Sequence, residues 1–344
     1  GPELWVGWVS GPSQQRSARV IAPEAKGSLP ELVVHADWGS NPRKRWMCVA
    51  ERTEDGYRVS APEQVGDPEV LLARLRDRAD GGAVLVGFDF PLGLPAAYAR
   101  NAGIERFREV LPELGQGRWD RFFDVAERAD EIGLERPFYP SGSEKGSKQQ
   151  YLIDALGVRS IDDLLRICER ANGMRGPASS LFWTLGPKQV GKAAILGWKQ
   201  VLLPAIAHGD LPVWLWPFDG VLQELIAKGG IVVAETYPAE ACLHLGITPP
   251  GRGWAKTLQK GRRAQAPAIR GWLERRDVEF ARDLVALIDD GFGAGSDAED
   301  PFDALLGLMS MLEVSLGHRS EGAPQDAVIR TVEGWILGQA GDVR

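Results

Sequence analysis

Residues 31–37 read ELVVHAD and residues 83–90 read AVLVGFDF; each is an apolar run that reaches an aspartate just before it breaks off. Short runs rich in Val and Leu, bounded by turn residues, predict strands buried on both faces. Trp38-Gly39-Ser40 follows the first run and Pro91 the second, so Asp37 and Asp89 stand where each strand should end. A carboxylate on a buried strand is costly unless it is paired or binds a cation. Ligands also gather at the carboxyl ends of strands in α/β sheets.

Working outward, an Asn41-Pro42 turn leads to RWMCVAER (45–52), an Asp55-Gly56 turn, and YRVSAP (57–62). Asp-Gly between two apolar runs is a hairpin signal, so three sequential antiparallel strands are expected. Residues 67–78 predict a helix, with Asp67 as cap, Pro68 in the first turn and a stripe of Val70, Leu71, Leu72 and Leu75. Residues 96–229 are mostly helical by pattern, most clearly at 160–171 and 192–208, with a Ser/Gly-rich loop at 139–150. IVVAETYP (231–238) predicts a further strand, and DPFDALLGLMSMLEVS (300–315) a helix with Pro301 near its start. The apolar stretches at 4–8 and 18–22 have no evident partner. This order predicts an α/β fold: a mixed five-stranded sheet with flanking helices. Residues 3–95 and 230–340 would form the core, and 96–229 a large, mostly helical insertion.

The 344 residues are 44% hydrophobic and 25% charged, which is ordinary for a globular chain and excludes extended disorder. The Gly-Pro opening reads as the remnant of a protease site. No apolar run has the length of a membrane span and no charged-then-apolar leader is seen, so no membrane partner is expected. Three scattered cysteines without a C-x-x-C exclude a disulfide framework and a zinc ribbon, and a reducing cytoplasm is the expected setting.

Net charge is −7, which argues against a wholly basic nucleic-acid binder. The charge is uneven, however. Residues 170–209 carry five basic side chains and no acid, and residues 251–263 carry five more; residues 283–303 carry seven acids and no base. Such a pattern suits an enzyme that holds a polyanion against cation-binding carboxylates, and equally a solvated surface of uneven charge. Asp37, Asp89, Glu235 at the end of the 231–235 run, and Asp300 with Asp303 at a helix start form the candidate catalytic and metal set. Clustered carboxylates bind hard cations such as Mg²⁺ or Mn²⁺. Other readings stand beside this one: Asp300 as a helix cap, Asp89 as a turn former, Glu235 as an ion-pair partner. Candidate phosphate-binding residues are Lys188 and Lys192, from the phosphate-loop-like GPKQVGKA (186–193), and Lys256, Arg262 and Arg263 beside Trp254. Ala193 stands where a phosphate loop needs a hydroxyl. No G-x-S-x-G, H-E-x-x-H or G-x-G-x-x-G points to another chemistry.

HADWGS (35–40), GFDFPLGLP (87–95), VAETYPAEA (233–241) and DPFDALLGLMSML (300–312) together resemble the predicted nucleases of domain-of-unknown-function family 429, in the RNase H-like superfamily. The matching pieces cover under a third of the chain. The resemblance implies an RNase H-like core in which Asp37, Asp89 and Asp303, with Asp300 as its partner, bind metal. Glu235 matches the family's fifth-strand acid. The expected activity is divalent-metal-dependent hydrolysis of phosphodiester bonds in nucleic acid or another phosphodiester substrate. A phosphotransferase or ATP-binding enzyme on a related fold, and a non-catalytic module that binds nucleic acid or protein, are the alternatives. Nothing in the pattern fixes the oligomeric state.

Overall fold

A computed structural model describes residues 28–142, 146–172, 175–185 and 190–341. The stretches at 4–8 and 18–22, and residues 186–189 of the 186–193 motif, Lys188 among them, lie outside the described residues. Strands β1 (Leu32–Asp37), β2 (Trp46–Arg52) and β3 (Tyr57–Val59) form the expected antiparallel meander. β4 (Glu63–Gln64) adds to β2, and β5 (Val84–Phe88) lies parallel to β1. β6 (Val213–Leu215) and β7 (Ile231–Glu235) extend the sheet in parallel beyond β5, while β8 (Val278–Phe280) runs parallel to β3 at the other edge. The order is β6-β7-β5-β1-β2-β3-β8, with β4 on β2.

The sheet is therefore mixed, as expected, but among the described residues it has eight strands rather than five. β4, β6 and β8 span only two or three residues each, too short to show a period of two in sequence. β6 comes from within 96–229, so that stretch contributes to the sheet as well as packing on it.

Alternation along β1 sends Leu32, Val34 and Ala36 to one face and Val33 to the other. The first face packs against Leu71, Leu72 and Leu75 of the Leu71–Arg78 helix and against Tyr98, Phe107 and Trp198 from the helical region. The second packs against Ile269, Leu284 and the Glu299–Ser315 helix, in which every residue from Pro301 to Ser315 is buried. The sheet thus lies between two helical layers. Both faces of β1, β5 and β7 are covered, which is why these strands read as unbroken apolar runs. Among the described residues no helix is long and apolar enough to cross a membrane.

Two local expectations need revision, and a third holds with a local irregularity. The helix expected at 160–171 is two 3₁₀ turns, Ile161–Leu164 and Ile167–Glu169, because Arg166 between them is drawn into a buried ion network. The helix at 67–78 becomes regular only at Leu71, since the Asp67 carboxylate accepts the Glu69 N–H and forms a local turn instead. The 192–208 helix does form, as Val190–Gly197, a wide π turn at Trp198–Leu202, and Leu203–Ala207. Pro204 withholds an N–H there, and the Leu203 N–H reaches back five residues to the Trp198 carbonyl.

The Glu299–Ser315 helix approaches the sheet closely because glycines meet it from both sides. A Cβ on Gly87 of β5 would lie 2.5 Å from Met311 Sδ, and one on Gly307 would lie 2.2 Å from the His35 ring. His35 is held in place: its Nε2 is 2.8 Å from Thr236 Oγ1 and its Nδ1 is 3.2 Å from the Ala304 carbonyl. Gly307→Ala should gain about 1 kcal/mol of helix propensity but lose about 1–3 kcal/mol to overpacking against an immobile ring. Overpacking should win. Urea unfolding is expected to show a less stable variant, and an unchanged or raised midpoint would contradict this packing.

Candidate functional site

The β1–β5 register pairs Ala36 with Phe88, so Asp37 and Asp89 leave the sheet side by side. By strand alternation they share the face of His35 and Gly87, which is the face covered by the Glu299–Ser315 helix. The first turns of that helix carry Asp300 and Asp303. All four acids line one pocket of about 600 Å³. Lys44 and Lys256 share the rim with them, and Tyr237, Pro238, Pro249 and Pro250 form an apolar wall.

The turn after β1 is held by Arg45, itself buried. Its guanidinium lies 4.2 Å from the centre of the Trp38 ring, donates to the Gly39 carbonyl at 2.8 Å, and donates to Gln200 Oε1 at 3.0 Å. This ties the pocket's lip to the 190–207 helical stretch. The Trp38 N–H then donates to Asp89 Oδ1 at 2.6 Å.

Burial and neighbouring acids push these carboxyls above their usual range. Burial pushes Asp37 well above the usual carboxylate range, and Asp89, Asp303 and Asp300 push further while Lys256 opposes them. Asp89 is raised to about 7, chiefly by burial; the Trp38 N–H and a hydrogen bond with Asp37 pull it down. Asp300 rises to about 6 through burial and the neighbouring Glu299, Asp303 and Asp297, against Lys44. Burial also raises Asp303, while Lys256 lowers it. The Lys256 ammonium is ion-paired with Asp303 Oδ2. Asp300 Oδ2 is buried with no hydrogen-bond partner. Among the described residues, no three His, Cys, Asp or Glu side chains are grouped so that they could hold a metal ion as they stand.

Glu235 belongs to a different constellation. Both its oxygens accept from Arg166, at 2.7 Å each, and Oε2 also accepts the Leu92 N–H at 2.8 Å. Arg166 is fully buried and also donates to Glu169 at 2.8 Å and to the carbonyls of Leu92 and Glu333. This network joins the end of β7 to the chain around 92, 166 and 333. Glu235 does not line the carboxylate pocket, and its lone pairs are already engaged. Its partner lies 69 residues away, with no local pattern to reveal it.

The expected phosphate-binding residues separate too. Arg262 is 1% exposed and gives its N–H groups to the carbonyls of Lys256, Gly291 and Gly293, so it clips loops together and is not free to grip phosphate. Arg263 pairs with Asp290 at 3.4 Å. Lys192 donates to the Ser141 carbonyl at 3.3 Å, while its neighbours Val190 and Ala193 line the pocket. Trp254 is held against Phe302 and donates to the Thr248 carbonyl at 2.8 Å, which pins it to the core. Of the described members of this group only Lys256 enters the pocket, as partner to an acid. Lys44 and Glu299 line the pocket without having been singled out by sequence; the acid-rich 283–303 run is the signal that held Glu299.

No protein-family model, curated protein or solved structure matches this chain.

Two outcomes follow from these networks. Folded Asp89 keeps its proton to about pH 7, whereas the unfolded chain releases it near 3.8. Its contribution to stability is therefore full below about pH 4 and is lost as pH rises towards 7. Asp89→Asn removes that loss, so in EDTA its Tm relative to the parent should be higher at pH 8 than at pH 4; equal differences at both would exclude the shift. Glu235→Ala leaves the buried Arg166 short of a partner and should cost about 3 kcal/mol in chemical unfolding.

Proposed function

We propose that this chain is a divalent-cation-dependent phosphodiesterase with an RNase H-like core, acting on nucleic acid or on a smaller phosphodiester. The supporting observation is the meeting of Asp37 and Asp89, from adjacent parallel strands, with Asp300 and Asp303 from one helix start in a single pocket. The run β3-β2-β1-β5-β7, antiparallel through its first three strands and parallel thereafter, supports the core assignment. β4, β6 and β8 are additions to it.

The residues suit a hard cation. Four carboxylates crowd one pocket, Asp300 Oδ2 has no partner, and burial with mutual repulsion raises all four acids. A group of acids whose charge is disfavoured by burial and by neighbouring acids has oxygen ligands to offer a Mg²⁺ or Mn²⁺ ion. Asp37, Asp89 and Asp303 would hold the ion, and Asp300 would orient water. A bound ion of this kind supplies an activated water and offsets charge on the phosphate.

The chain's own side chains account for the rest. An acidic pocket repels phosphate unless cations offset it, and Lys44 and Lys256 supply positive charge on the rim. The Tyr237, Pro238, Pro249 and Pro250 wall gives the rest of the substrate an apolar surface and keeps bulk water from that side. Arg262 is committed to the fold and Arg263 faces Asp290, so within the 252–263 segment Lys256 is the basic side chain that lines the pocket.

The test is turnover of labelled single- and double-stranded DNA and RNA and of bis(p-nitrophenyl) phosphate, with Mg²⁺, Mn²⁺ or EDTA. Cleavage that needs the ion and falls to background in Asp37→Asn, with the variant still folded by circular dichroism, is the expected result. A folded protein that binds Mn²⁺ yet cleaves none of these would overturn the proposal.

A further inference from the structure

Lys256 is placed unusually for a surface cation. Its backbone is clamped: the buried Arg262 donates to the Lys256 carbonyl while also holding Gly291 at 2.9 Å and Gly293 at 2.7 Å. On the neighbouring residue, a Cβ on Gly261 would lie 2.2 Å from the Ala255 carbonyl, so the chain is tightly packed there as well. From this fixed point a flexible four-carbon stem carries the ammonium to Asp303 Oδ2. The Lys256 side chain is 33% exposed and that of Asp303 only 8%, so the ammonium enters from the open side and caps an inward carboxylate. It also lies in the field of Asp37 and Glu299.

The ammonium thus occupies the region where the proposed cation ligands converge. This accounts for two observations together: the four acids share one pocket, yet no three of them are grouped to hold a metal among the described residues. An ammonium and a divalent ion on one carboxylate repel each other, and the ammonium alone has a stem along which to retreat.

We infer that Lys256 is a resident counter-ion of the carboxylate pocket, which a divalent cation must displace from Asp303 in order to bind. In the cation-free protein it neutralises part of the acidic cluster; on displacement it remains tethered at the pocket rim. The inference rests on the reading of the pocket as a divalent-cation site, and it makes Lys256 a regulator of that site's occupancy.

The experiment uses the full chain at pH 8. Mn²⁺ affinity of the parent and of Lys256→Met is measured by calorimetry. Separately, acylation of Lys256 in the parent is followed by peptide mass spectrometry with and without Mn²⁺, using the exposed Lys228 as internal reference. Lys256→Met should bind Mn²⁺ about tenfold more tightly, the size expected for removing one closely paired charge. In the parent, Lys256 should acylate slowly in EDTA and several-fold faster with Mn²⁺, at constant Lys228 labelling. The labelling arm needs no variant and holds even if Lys256→Met does not fold. Mn²⁺ binding that is unchanged or weaker in Lys256→Met, or labelling that ignores Mn²⁺ while the ion binds, overturns the displacement and leaves the cation site standing. No Mn²⁺ binding by either protein overturns both. Tighter binding and faster labelling without phosphodiester cleavage support the role of Lys256 and overturn the hydrolytic reading alone.

Discussion

The parallel pairing of β1 with β5 sets the position of everything else in the pocket. With Ala36 opposite Phe88, the next residue on each strand is an aspartate, and the sheet delivers two carboxylates to one point. Backbone hydrogen bonding specifies that register, and alternation then turns both acids to the same face. A slip of one residue would send one acid to the opposite face of the sheet. The Glu299–Ser315 helix completes the arrangement because Gly87 and Gly307 let it lie close enough for its first turns to face the strand ends.

Two charged constellations result, and they illustrate opposite uses of burial. Around Arg166, the two terminal guanidinium nitrogens find fixed partners in Glu235, Glu169 and the carbonyls of Leu92 and Glu333, while the buried Nε has none. Such a network ties separate segments together and leaves little capacity for a ligand. Around Asp37, burial is combined with mutual repulsion, one lysine on a flexible stem, and an oxygen of Asp300 without a partner. An oxygen without a partner among acids raised by burial leaves an electrostatic demand that the ion pairs of Arg166 largely meet.

The central strands were legible in the sequence because their burial on two faces required continuous apolar runs, and the last helix because its body is apolar throughout. β4, β6 and β8 were not, since two or three residues carry no period. The acids that break buried strands were visible for an energetic reason, and four of the five candidate acids, Asp37, Asp89, Asp300 and Asp303, meet in one place. Glu235 carried the same signal for a different cause: it too ends a buried strand, but an arginine distant in sequence meets it there. Burial cost shows that a charge needs a partner, not which partner it has.

The basic residues show the same boundary from the other side. A run of Lys and Arg between 252 and 263 has one appearance in sequence, yet Arg262 is buried as a clip, Arg263 faces Asp290, and Lys256 reaches Asp303. The sequence alone determined the strand meander, the mixed α/β class and the acids that needed company, because these follow from local pattern and from the cost of burying charge. Tertiary structure alone decided which acids share a pocket and which cation each one meets. Those choices depend on strand register and on glycine-permitted helix contacts between residues far apart in the chain.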